Sequence, residues 1–190
     1  MDNCINQITT SFLVEEILDA PDSKFARPIL TGYILSGEKI NPSPVKVIFS
    51  ENTEARKIKG VKKGDILFVY GNLGYTLKEM IIIYAKSFLI ISKNEANISP
   101  NERKIIFTSY SHLPNQIILQ GTITNIFEDE NKLLIDVKRN ELVRGEIKKY
   151  DLLPVEMTNH PYGLKNKDDI VIIGSIKGNS LYGMVKKILN

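Results

Sequence analysis

The chain has 190 residues, 43% hydrophobic and 25% charged, with a formal net charge of +3. That is the composition of an ordinary globular protein, long enough for one large domain or two small ones. Lys/Arg against Asp/Glu number 12 to 11 in residues 1–95 and 13 to 11 in residues 96–190, which excludes a polycation that would hold nucleic acid by bulk charge. No apolar run has the length of a membrane span, and MDNCINQITT lacks the basic start and apolar core of a secretion signal. A single cysteine, Cys4, cannot form an internal disulfide. A cytoplasmic location without membrane association is the expectation.

Short runs rich in Ile, Val, Tyr and Phe alternate with turn residues along the whole chain, a pattern of pleated, half-buried strands. The pattern predicts strands over Ile8–Leu18, Pro28–Ser36 and Val45–Ser50. SENTEARKIKGV then reads as a short helix, with Thr53 as its cap and Ala55, Ile58 and Val61 on one face. Asp65–Leu73 and Glu79–Ile91 complete five strands. The polar, proline-bearing stretch Ser92–Arg103 reads as a linker. Lys104–Tyr110 is apolar enough for a strand that attaches to either side. Strands are then expected over Asn115–Phe127, Lys132–Lys138 (ending at KRNE), Ile147–Met157, Asp168–Ile176 and Ser180–Leu189, with only the breaker-rich TNHPYGLKN between the third and fourth.

One phrase occurs twice. KKGDILFVYGNLGY from Lys62 and NKDDIVIIGSIKGN from Asn166 superpose at an offset of 103, which lays Gly71 on Gly174, Asp65 on Asp168 and Leu73 on Ile176. Five strands with a helix or loop between the third and fourth is the layout of the oligonucleotide/oligosaccharide-binding (OB) barrel. The predicted fold is therefore all-β with a short helix, as two tandem five-stranded barrels: residues 5–95, a linker over 96–103, and residues 104–190. A second match, PILTGYILS against IILQGTITN, is only apparent. Gly121 lies 53 residues before Gly174 but Gly32 only 39 before Gly71, so Gly32 belongs on a second strand and Gly121 on a first.

These motifs resemble the DNA-binding domain of the bacterial single-stranded DNA-binding protein family. In the second half, Asn115, Ile117, Leu119, Gly121 and Ile123 match its first strand, and Asp151, Leu153, Pro154 and Val155 its third. Lys167, Asp168, Ile170, Ile172, Gly174 and Ile176 match its K-G-D-x-[VIL]-x-V-x-G-x-[IL] fourth strand. In the first half, Val45–Leu73 keeps the family's spacing from Phe49 to Gly71.

The resemblance implies sequence-independent coating of single-stranded DNA, with cations along the phosphates and aromatic faces under the bases. It implies a stacking role for Phe49 and places Tyr75 near another aromatic position. Arg56, Lys57, Lys59, Lys62 and Lys63 follow Phe49 as a basic cluster. Lys138, Arg139, Arg144, Lys148, Lys149 and Tyr150 lie on or around the second–third hairpin, and Tyr182 offers a fifth-strand contact. Phe49 also reads as a buried core residue, the cluster as a solvated helix face, the hairpin as merely charged, and Tyr182 as packing. The second half departs from the family: the chain has no Trp, Leu152 stands at an aromatic position, and the chain ends in KKILN without an acidic tail. By the same resemblance a homodimer of four barrels is expected.

No glycine-rich phosphate loop, nucleophile elbow or metal-ligand spacing is present; His112 and His160 lie in loop-like stretches. We expect no enzymatic activity and no cofactor. The partner would be single-stranded DNA, with RNA an open alternative and a replication or other protein partner in addition. The competing reading is a barrel scaffold that binds another protein and has weak or lost DNA contact.

Overall fold

The structure is a computed structural model and describes residues 5–18, 29–36, 39–40, 44–49, 58, 60–75, 81–92, 115–143, 146–159 and 163–189. Its strands are β1 (Asn6–Leu18), β2 (Ile29–Ser36), β3 (Lys39–Ile40), β4 (Val45–Phe49), β5 (Ile66–Tyr75), β6 (Ile81–Ser92), β7 (Gln116–Phe127), β8 (Lys132–Val143), β9 (Glu146–Met157), β10 (Asp169–Lys177) and β11 (Ser180–Leu189). β1 pairs with β2, β2 with β4, β4 in parallel with β6, β6 with β5 and β5 with β1, which closes a five-stranded barrel. β7, β8, β9, β11 and β10 close a second barrel in the same order, with β9–β11 as its parallel pair. These are tandem OB-type barrels. The two-residue β3 adds only a short antiparallel pairing to β2.

The alternation of the sequence becomes inside and outside. Ile117, Leu119 and Ile123 of β7 are fully or almost fully buried, as are Leu133, Ile135 and Val137 of β8 and Leu153 and Val155 of β9, whereas the residues between them face outward. The repeated glycines are needed for close approach. A Cβ on Gly71 would collide with the Tyr84 carbonyl oxygen, and one on Gly174 with that of Tyr182. Gly32 sits on a second strand and Gly121 on a first, as their spacings require.

The repeat extends to side-chain detail. Asn6 donates from Nδ2 to the Leu73 carbonyl (3.0 Å) and accepts at Oδ1 from the Leu73 N–H (2.8 Å). Asn115 does the same to Ile176, at 2.7 and 3.2 Å. Asp65 accepts from the Lys62 N–H at 2.9 Å and Asp168 from the Lys165 N–H at 2.8 Å, so the same side-chain-closed turn opens both fourth strands. The offset is 103 at the fourth strands but 109 at the first (Asn6 to Asn115), and bulges between Val14 and Glu16 and between Ile123 and Asn125 match at that offset.

Two expectations change in this register. Lys167 does not occupy the lysine slot of the K-G-D motif: it falls on Gly64, the glycine, and both have left-handed backbone, at φ 76° and 86°. β8 does not stop at Lys138. It runs to Val143, because an irregularity between Lys138 and Glu141 absorbs KRNE within the strand. Of the predicted helix, Ile58 and Val61 are described; both are buried, and the Val61 N–H donates to the Ile58 carbonyl. Its remaining face residue Ala55 and its cap Thr53 lie outside the described residues, as do residues 104–110.

β1 and β7 also pair with each other, antiparallel, from Asn6↔Leu119 to Thr9↔Gln116. Ile8 lies directly opposite Ile117, its own counterpart at the 109 offset. A pseudo-twofold axis therefore passes through that residue pair. It joins the barrels into one continuous sheet, β6-β5-β1-β7-β10-β11.

Candidate nucleic-acid interface

In the first barrel, β4 turns Phe49 inward. Its ring is 4% exposed and lies 5.0 Å, centroid to centroid, from Phe88 of β6. A ring so enclosed offers no open face to a base. The stacking role expected of Phe49 is not what this position provides, and it packs as core because Val45, Val47 and Phe49 occupy the inward positions of β4. Tyr75, at the end of β5, is half-buried against the same core. Lys62 and Lys63 are exposed on the turn before β5. Lys63 Nζ meets Glu15 Oε1 at 2.7 Å, and that hydrogen bond and charge raise the lysine pKa. Arg56, Lys57 and Lys59 lie outside the described residues.

In the second barrel, the β8–β9 hairpin sets Lys138 opposite Tyr150 and Glu141 opposite Lys148. Lys149 and Arg139 fall in the irregular stretch between those two pairs, and Arg144 falls between the strands, outside the described residues. Further along the outward face of β9 come Leu152, 52% exposed, and Pro154, which pairs with the half-buried Leu134. Tyr182 is distant from this hairpin in register. It pairs with Glu156, and the Lys177 ammonium stands 5.3 Å from its ring centroid. Its hydroxyl is hydrogen-bonded to Glu156, which raises its pKa.

Two carboxylates on this outward face differ in character. Burial raises the pKa of Asp136, opposite Leu152. Burial pushes Glu156 the same way, but hydrogen bonds from Ser180 and Tyr182 and the charge of Lys132 outweigh it, and its pKa is lowered. Lys132, Lys177 and Lys165 are cations that sequence reasoning passed over, and Lys167 entered it only as a motif match. The repeat carried a signal for one of them, since the 103 offset lays Lys62 on Lys165.

No family model matches the chain, and no curated protein matches it. Among solved structures the fold is similar to a deletion mutant of the single-stranded DNA binding protein from Thermus aquaticus. The TM-score is 0.60 at 15% identity, over 100% of this chain and 96% of that one. The wild-type Thermus aquaticus protein is similar too, with a TM-score of 0.53 at 14% identity over 98% and 93%. The likeness is one of fold and spans both barrels.

Proposed function

We propose that this chain binds single-stranded DNA without sequence preference and without catalysis, as an accessory of replication, recombination or DNA transfer. The observation that carries the reading is the full-length match of two joined barrels to a Thermus protein described as single-stranded DNA binding. Lys138 and Tyr150 occupy opposed register positions on the β8–β9 hairpin and are a cation and an aromatic residue, the two chemistries a single strand needs. Arg139, Arg144, Lys148 and Lys149 extend the cationic stretch, and Lys62 and Tyr75 offer contacts on the first barrel. Each phosphate neutralised releases a counterion, so binding weakens with salt. Each base stacked adds about 1–3 kcal/mol. In this reading the protein is cytoplasmic and works as a homodimer of four barrels.

The test is fluorescence anisotropy with a labelled oligothymidine of about 35 nucleotides, at low and physiological salt. Sub-micromolar binding that weakens with salt, and weakens again in Lys138→Gln and Tyr150→Ala, is the expected result. An oligouridine of equal length measures the preference between DNA and RNA. Absence of binding even at low salt would overturn the reading. The scaffold alternative, which the burial of Phe49 and the Lys63–Glu15 pair favour, would then stand.

A further inference from the structure

The turn that opens the fourth strand is built twice on one plan, with its charges arranged differently. In each copy an Asp side chain closes the turn, and the residue before that Asp bonds by its N–H to the bulged first strand. Gly64 reaches the Val14 carbonyl at 2.7 Å, and Lys167 the Ile123 carbonyl at 2.8 Å. The backbone is left-handed at both, which glycine adopts freely and lysine at a cost. In the first barrel the turn exposes Lys62 and Lys63, and Lys63 is paired with Glu15 from the adjacent bulge. At the 109 offset the residue that replaces Glu15 is Thr124, and its hydroxyl donates to the Leu134 carbonyl. The second turn therefore lacks that acid while presenting two exposed lysines, Lys165 and Lys167. The neighbouring carboxylates are engaged by the protein's own donors: Asp168 by the Lys165 N–H, Asp169 by the Thr122 hydroxyl.

A residue held in a disfavoured conformation where its sister repeat has glycine calls for a functional explanation. We infer that the Lys165–Lys167 turn is a phosphate-contact site of the second barrel, with Lys167 as its principal cation and the phosphodiester backbone of a single strand as its ligand. The inference rests on the single-strand reading and deepens it. It also distinguishes the two equivalent turns, since one of the two lysines of the first copy is paired with its own glutamate.

Two substitutions separate charge from strain. Lys167→Gln keeps the backbone demand and removes the charge, whereas Lys167→Gly removes both. With the labelled oligothymidine titrated across a salt series, each variant should make the plot of log affinity against log salt shallower by about 0.7. That corresponds to about fivefold weaker binding near 0.1 M salt. Thermal melting should show Lys167→Gly more stable than the parent and Lys167→Gln unchanged, so the loss of binding cannot be ascribed to loss of fold. Lys63→Gln, whose cation is already paired, should move the salt slope less. An unchanged slope and affinity in both Lys167 variants would overturn the site while leaving the single-strand reading intact. Failure of the parent protein to bind the oligonucleotide at all would overturn both.

Discussion

Phe49 shows why chemistry and placement have to be read together. An aromatic residue at the end of an apolar third strand fits a base platform and a core residue equally well, since both call for a large flat ring. What decides is the phase of β4: Val45, Val47 and Phe49 face in, and β6 supplies Phe88 as the partner ring. Removing such a ring leaves a cavity, so Phe49→Ala should lower unfolding free energy by about 3–5 kcal/mol in urea denaturation. At temperatures where that variant remains folded, its affinity for oligothymidine should stay within about twofold of the parent, far less than loss of a stacked base implies. A large affinity loss in the folded variant would return Phe49 to the interface. The Asn6 and Asn115 clamps are the opposite case. Asn115 was legible as a first-strand residue, but its bonding to Ile176 depends on two strands meeting 61 residues apart.

At the scale of elements, strands were legible wherever period-two alternation is clean, because one face of each strand lies against a barrel interior. β8 was legible only in its first half. Lys138–Arg139–Asn140–Glu141 has turn composition, yet the strand continues through it, since an irregular pair lets the ladder resume at Glu141↔Lys148. The paired face of β8 and β9 also carries a pH signature. Asp136 has a raised pKa, so its ionised form is penalised in the folded state; the penalty is absent in acid and appears as pH rises through the carboxylate range. Glu156 has a lowered pKa, so its contribution is present at neutral pH and is lost as pH falls through that lowered value. Asp136→Asn should therefore stabilise slightly at pH 7, and Glu156→Gln should destabilise slightly. Both groups are only half-buried, so solvent screening keeps each effect small, about 0.5 kcal/mol. Both differences should shrink as the pH of chemical denaturation is lowered, that of Asp136 first. Variants that shift stability equally at every pH would assign the effect to packing instead of charge.

The whole molecule is organised by a junction that no single stretch of sequence announces. The repeat at Gly71 and Gly174 told of two barrels, but the edge by which they join depends on which strand positions are left unpaired. β1 gives Ser11–Leu18 to β2 and keeps Asn6–Thr9 for β7, while β7 gives Gly121–Phe127 to β8 and keeps Gln116–Leu119 for β1. The result imitates, within one chain, the contact of two identical subunits. On the outer face of the continuous sheet, Phe68 and Tyr70 on one side and Ile118, Ile173 and Met184 on the other are half-buried rather than covered. Leu89, paired with Phe68, is 62% exposed. Apolar residues gathered across a pseudo-twofold axis on one sheet are suited to a second copy of the same face, because an isologous contact requires self-complementary surface. Light scattering coupled to size exclusion should give a particle of twice the 21.5 kDa chain. Ile118→Lys combined with Phe68→Lys should return it to a single chain without changing the circular dichroism. Charges placed there would not disturb a dimer formed elsewhere. A dimer that survives both substitutions would place the interface on another surface, and a parent protein that runs as a single chain at micromolar concentration would remove the four-barrel assembly altogether.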